Sequence, residues 1–238
     1  MESFKKEYWE ESLRFPDWYI RLEKELNELF FPVVRNDENI KVFRHRVYEL
    51  LGNLLEKNQI PLAPEGPDFD AGRKKIDTII IHHTEEEPDI RLSKLSAIGL
   101  IRQYALRYLN DNQLKGKPIW SGHFLNERMV FFAYHWLVRP NGSVERLLKD
   151  NYIGWHSGNW DINMRSVAIA LSGNYEKAIP PLSQIKAVAG VIKKDYPQVT
   201  NDRIFGHREV KEDRTCPGRY FLSNWKKTLL NLVNESTQ

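Results

Sequence analysis

Apolar side chains recur at helical spacing through the first sixty residues. Phe4, Tyr8, Trp9 and Leu13 fall on one helical face, and Trp18, Leu22, Leu26, Leu29 and Phe30 follow at spacings of four, four, three and one. Pro16 stands between the two runs, where its fixed φ suits a helix start. Asp37 or Asn39 is placed to cap a third helix carrying Phe43, Val47, Leu50, Leu51, Leu54 and Leu55, which should stop before Pro61. Phe4, Tyr8, Trp9, Phe15, Trp18 and Tyr19 are expected to be buried, because so many aromatic rings need cover from water.

The pattern changes after residue 62. Pro61, Pro64, Gly66, Pro67 and Gly72 crowd into twelve residues, a density that regular elements do not tolerate. Beyond that loop, strand and helix periods alternate. Ile76 to Ile81 is a short β-branched run fit for a buried strand, and Leu92 to Leu109 has helical spacing. Phe131 to Arg139 reads as a strand, Pro140-Asn141-Gly142 as a turn, and Val144 to Leu148 as the hairpin partner. Ser166 to Leu171 is another apolar strand; Leu182 to Tyr196 and Arg219 to Val233 are helices. The reading is a helical N-terminal extension over residues 1–70 and an α/β domain over residues 71–238.

Composition narrows the function. With 41% hydrophobic and 28% charged residues, the chain of 238 residues is globular and not disordered. Residues 1–75 carry 13 basic and 15 acidic side chains, so the extension is slightly acidic. The whole chain is only +3 and has no dense Lys/Arg block, which argues against a nucleic-acid partner. One cysteine forbids an intramolecular disulfide. No apolar run approaches the ~20 residues of a membrane span. A basic start followed by an apolar stretch is missing at Met1–Glu11, so a cytoplasmic protein without a signal peptide is expected, one that could still be released to act on an external substrate.

Three places carry chemistry. His82 and His83 end an apolar strand, His207 lies in Gly206-His207-Arg208-Glu209, and Cys216 follows nine residues later in Thr215-Cys216-Pro217-Gly218. Imidazole and thiolate are preferred zinc donors, and His82, His207 and Cys216 would leave a fourth position for water. Each residue alone has a plainer reading. A lone cysteine is commonly a small buried hydrophobe, and a strand-end histidine is commonly just hydrogen-bonded. His83 should point away from its neighbour by strand alternation, and His135 should do the same beside Tyr134. His45 and His123 are expected at the surface.

Six strings occur in order: Ile81-His82-His83-Thr84, Ala133-Tyr134-His135-Trp136, Gly154-Trp155-His156-Ser157-Gly158, Ser166-Val167-Ala168-Ile169-Ala170-Leu171, Gly206-His207-Arg208-Glu209 and Thr215-Cys216-Pro217-Gly218. Together, from about Ile76 to Phe221, they resemble the zinc-dependent type 2 N-acetylmuramoyl-L-alanine amidases, a superfamily that includes peptidoglycan recognition proteins and bacteriophage lysozyme-amidases. The resemblance implies a central mixed β-sheet flanked by helices, a Zn2+ ion on His82, His207 and Cys216, and peptidoglycan or a muropeptide as substrate. It places Tyr134 beside the attacking water and makes His156 line the groove. Arg214 stands where catalytic relatives commonly have lysine or threonine, and the strand Ser166–Leu171 carries Ala168 and Ala170 where some relatives have a glutamate.

These parts imply catalytic roles for Tyr134, Arg214 and His156: the tyrosine to orient water, the other two to stabilise developing negative charge. His83, Trp155, Asn159 and Trp160 are candidate substrate contacts, the aromatic pair as a groove wall. The expected activity is hydrolysis of the amide between N-acetylmuramic acid and L-alanine. The alternative is a recognition module of the same fold that binds muropeptides without cutting them.

Overall fold

The structure is a computed structural model that describes residues 5–30 and 38–235. Four helices come first: α1 (Lys6–Ser12), α2 (Trp18–Arg21), α3 (Glu23–Phe30) and α4 (Glu38–Glu56). Then follow β1 (Thr78–His83), α5 (Leu92–Gly99), a π-helical turn (Leu100–Ala105) and α6 (Leu106–Asn110). The short strands β2 (Phe124–Leu125) and β3 (Arg128–Met129) precede β4 (Trp136–Val138) and β5 (Val144–Arg146). The chain continues through α7 (Trp160–Arg165), β6 (Ser166–Leu171), α8 (Leu182–Asp195), β7 (Ile204–Gly206), α9 (His207–Val210) and α10 (Lys226–Asn234). Phe4 and the cap residue Asp37 lie outside the described residues.

Contacts group these elements into two compact units. One takes the described residues up to Asp68 together with Arg91–Phe131; the other takes Phe69–Ile90 and the chain from Phe132 onward. Within the first unit α5 lies on α4. A Cβ on Gly52 of α4 would meet the Ser93–Lys94 backbone at 3.1–3.2 Å, an approach open to glycine. Lys94 is buried and reaches Glu49 at 3.3 Å, and Arg91 reaches Glu49 at 2.6 Å and Glu56 at 3.2 Å. Tyr19 donates its hydroxyl proton to the carbonyls of Leu114 and Lys117, at 3.2 and 3.1 Å. Trp9, Trp18 and Tyr19 are buried as their spacing predicts, but Tyr8 and Phe15 are about 40% exposed. Tyr8 donates to Arg21 O at 3.4 Å, and the Arg21 guanidinium lies 3.9 Å over the Phe15 ring, so both rings find partners at the surface instead. His123, expected at the surface, is fully buried with Nδ1 3.5 Å from the Tyr104 hydroxyl.

The second unit is built on a mixed five-stranded sheet in the order β5-β4-β6-β1-β7. Only β5 runs antiparallel, closing the hairpin onto β4. All six residues of β1 and of β6 are buried, as parallel strands covered on both faces require. On one face Ile79, Ile81, Val167, Ile169 and Leu171 pack with Ile185, Val188 and Ile192 of α8, with Phe221 and Trp225, and with Leu229 of α10. The observed β1 starts later than its apolar run and takes in both histidines. The strand expected over Phe131–Arg139 shrinks to three residues. At His135 the ring nitrogen Nδ1, rather than a strand carbonyl, accepts the Ala168 N–H at 3.1 Å.

Candidate metal centre

Parallel pairing brings the histidines together. Ile81 of β1 stands opposite Gly206 of β7, so His82 and His207 emerge side by side at the carboxyl ends of adjacent strands. Ligand sites in open α/β sheets form at these ends. Gly206 is required here: a Cβ would fall 2.5 Å from the Phe221 ring and 2.7 Å from Pro217 Cδ. That close approach carries the following loop, with Cys216, back over the sheet. The Arg208 N–H donates to Cys216 O at 2.8 Å, and the His83 N–H donates to Cys216 Sγ at 3.4 Å.

One donor atom each from His82, His207 and Cys216 lies within 4.8 Å of the other two. The rings of His82 and His207 are 4.6 Å apart, and His82 Nδ1 is 3.6 Å from Sγ. His207 Nε2 is 3.2 Å from Ser157 O, which can only accept. That carbonyl therefore keeps the proton on Nε2 and leaves the Nδ1 lone pair for a ligand. On His82, Nε2 is 3.0 Å from His156 Nδ1, and His156 Nε2 is 3.1 Å from Ser166 Oγ. With protons on both Nε2 atoms, this relay leaves His82 Nδ1 as the lone pair on the thiol side.

Burial sets the charges. It holds His82 well below the ordinary imidazole range, helped by His207, His156 and His83. Burial, with His207 and Arg73, lowers His156 to about 3. It also lowers His207, with Arg214 and Lys211 adding to the effect. Burial pushes the Cys216 thiol up. Two neutral imidazoles and a buried thiol that ionises only beside a cation are a donor set that fits a divalent, thiophilic metal.

The other expected site residues divide. The Tyr134 ring is half-buried, 5.1 Å from that of His82. Arg214 is near enough to depress His207, and its Nε lies 3.4 Å from Asp213 Oδ1. His156 is in the cluster, but both its nitrogens face protein partners, which suits holding His82 more than reaching a substrate. His83 lies on the opposite face of β1. Its side chain is fully buried, Nδ1 accepts the Tyr175 N–H at 2.9 Å, and Nε2 faces Glu85 at 3.5 Å, so no substrate surface remains on it. Asn159 caps α7, its side chain accepting the Ile162 N–H at 3.3 Å. Trp155 packs edge-on to Phe69 at 5.7 Å and to Trp160 at 5.5 Å; Trp160 is 44% exposed.

Three supporting residues are not singled out by the sequence. Ser157 orients His207, Ser166 anchors His156, and Asn163 accepts both the Ser157 N–H and its hydroxyl, at 3.0 and 2.7 Å. Ser157 and Ser166 fall inside two of the six ordered strings, a signal that Asn163 lacks.

A profile of the N-acetylmuramoyl-L-alanine amidase family matches residues 72–219, well over half of the chain. The chain belongs to this family. Among curated relatives, the 1,6-anhydro-N-acetylmuramyl-L-alanine amidase AmpD of Haemophilus influenzae is 25% identical over 177 residues, covering 69% of this chain and 88% of that protein. A peptidoglycan-recognition protein of Drosophila simulans is 25% identical over 183 residues, covering 74% of this chain and 87% of that protein. Among solved structures, the N-acetylmuramoyl-L-alanine amidase LysC of Clostridium intestinale aligns with a TM-score of 0.47 at 20% identity, covering 68% of this chain and 89% of that one. The amidase profile spans every residue of the His82, His207 and Cys216 cluster.

Proposed function

We propose that this family member is a zinc-dependent hydrolase of the amide bond between N-acetylmuramic acid and L-alanine, acting on peptidoglycan or muropeptides. The observation that carries the reading is the convergence of His82, His207 and Cys216 on one point. A zinc ion held there supplies Lewis acidity and a ready source of hydroxide near neutral pH. The protein's own residues do the rest. Ser157 O and the His156–Ser166 pair hold the two imidazoles in the tautomers that offer Nδ1. Tyr134, against the His82 ring, orients the attacking water and takes part in its proton transfer. Arg214 is permanently cationic and stabilises the negative charge that grows on the amide oxygen. Loss of one such group typically raises the barrier by about 2–4 kcal/mol.

Mass spectrometry of defined muropeptides, incubated with the protein with and without a zinc chelator, tests this. The expected result is release of the intact stem peptide, abolished by chelator and restored by zinc. Retention of uncut muropeptide by the zinc-loaded protein would replace the hydrolase with a recognition module.

A further inference from the structure

The turn that joins His207 to Cys216 carries Lys211 and Arg214. The Lys211 stem lies across Gly158: a Cβ on that glycine would fall 2.7 Å from Nζ and 2.9 Å from Cδ. Gly158 has φ +71°, a conformation that L side chains rarely adopt. It both turns the chain and leaves bare the surface on which the lysine rests. Gly158 directly follows Ser157, whose carbonyl holds His207 at 3.2 Å. The ammonium therefore lies beside the segment that holds His207.

Lys211 is half-buried, yet among the described residues its ammonium has neither an ion pair nor a hydrogen-bond acceptor. Its stem is covered by protein while the charged head keeps contact with solvent, where an anionic group can reach it. Arg214, also half-buried, meets Asp213 at 3.4 Å. Lys211 and Arg214 both act on His207, as does Asp213 in the opposite sense, and Arg214, Glu85 and Glu176 all bear on Cys216.

We propose that Lys211 forms a carboxylate-binding subsite that selects substrates bearing a free carboxylate near the scissile amide. The proposal rests on the amidase reading and names the substrate class for that site. Lys211 binds substrate here and takes no part in bond cleavage.

The test uses the zinc-loaded full chain with N-acetylmuramoyl-L-alanyl-glutamic acid and with the same compound converted to its diamide. The wild-type protein should show a KM about tenfold lower for the acid, with similar kcat for the two. Lys211→Met should raise KM for the acid about tenfold and leave the diamide unchanged, while Lys211→Arg keeps the preference. Zinc affinity, measured by competition with a chromophoric chelator, should be the same in all three proteins. An equal loss on acid and diamide, or a loss of zinc affinity in Lys211→Met, overturns the proposal and leaves Lys211 as a support for His207. If the wild type cuts neither compound, the amidase reading fails. Calorimetric binding of the two compounds then tests the subsite alone: tighter binding of the acid that disappears in Lys211→Met supports it, and equal binding rejects it.

Discussion

Among single residues, the centre depends on who holds each lone pair. Cys216 is buried, and although its Sγ accepts the His83 N–H, it stays a thiol unless a cation stands beside it. Cys216→Ser replaces a soft anionic donor with a neutral hydroxyl. The variant should stay folded, bind zinc at least about a hundredfold more weakly and lose muropeptide cleavage; chelator competition and mass spectrometry would show both. Ser166 acts one step further out. Ser166→Ala leaves a buried imidazole N–H on His156 without its partner, at a cost of about 1–3 kcal/mol in stability. Its zinc affinity should fall roughly tenfold, since the relay no longer fixes His82. Adjacent residues can have opposite fates here. His82 joins the donor cluster, while His83, one position on, is sealed against Tyr175 and Glu85. Strand alternation alone makes that separation, and it is legible in the sequence once the strand is known to reach residue 83.

Among the elements, strand starts and a single glycine locate the site. Asp77 precedes β1 and pairs with Arg165 at the end of α7 and with Arg203 before β7. It therefore ties together the entry ends of three neighbouring strands. Its carboxyl is held well below the usual range, first by the Arg165 hydrogen bond and then by Thr78 and Arg203. A group whose folded pKa is depressed contributes stability above its unfolded pKa and loses it as pH falls toward the folded value. Asp77→Asn should thus lower Tm at pH 7, and the gap to the wild type should narrow steadily below about pH 4 in thermal melts. The pair is partly exposed, so the effect should be modest and weaken with salt. Gly206→Ala acts more directly on the site. Its methyl group would strike Phe221 and Pro217 and push the Cys216 loop off the sheet. A stability loss of about 1–3 kcal/mol is expected in urea titrations, with weakened zinc binding. Strand β7 itself leaves no mark in the sequence, because three residues are too short for a period to show.

Across the whole molecule, packing and family do not divide the chain alike. The family profile covers residues 72–219, yet Arg91–Phe131 packs with the N-terminal helices. The cause is local: α5 presses on Gly52, Lys94 and Arg91 pair with Glu49, and Tyr19 bonds the 114–117 turn. A chain begun at residue 71 removes all these partners from a segment inside the profile. It should lose Tm relative to the full chain, and limited proteolysis should cut first between residues 91 and 131. Equal protease resistance in both forms would show that the amidase segment stands without the extension.

Local pattern suffices for the apolar strands around residues 78–83 and 166–171, the hairpin turn at Pro140-Asn141-Gly142, the long helix near 182–195 and the ordered motifs that resemble the amidase family. Each is written in neighbouring residues: a period of two or 3.6, a turn residue, a short string. Which donors meet is a property of the folded chain. His82 and Cys216 are 134 residues apart, and only the parallel pairing of β1 with β7 and the close approach at Gly206 bring them together. Folding also buried His123, exposed Tyr8 and Phe15, took 91–131 to the helical unit and laid Lys211 across Gly158. Each of those outcomes is a contact between separated segments, and side-chain periodicity carries no information about which other segment a face will meet.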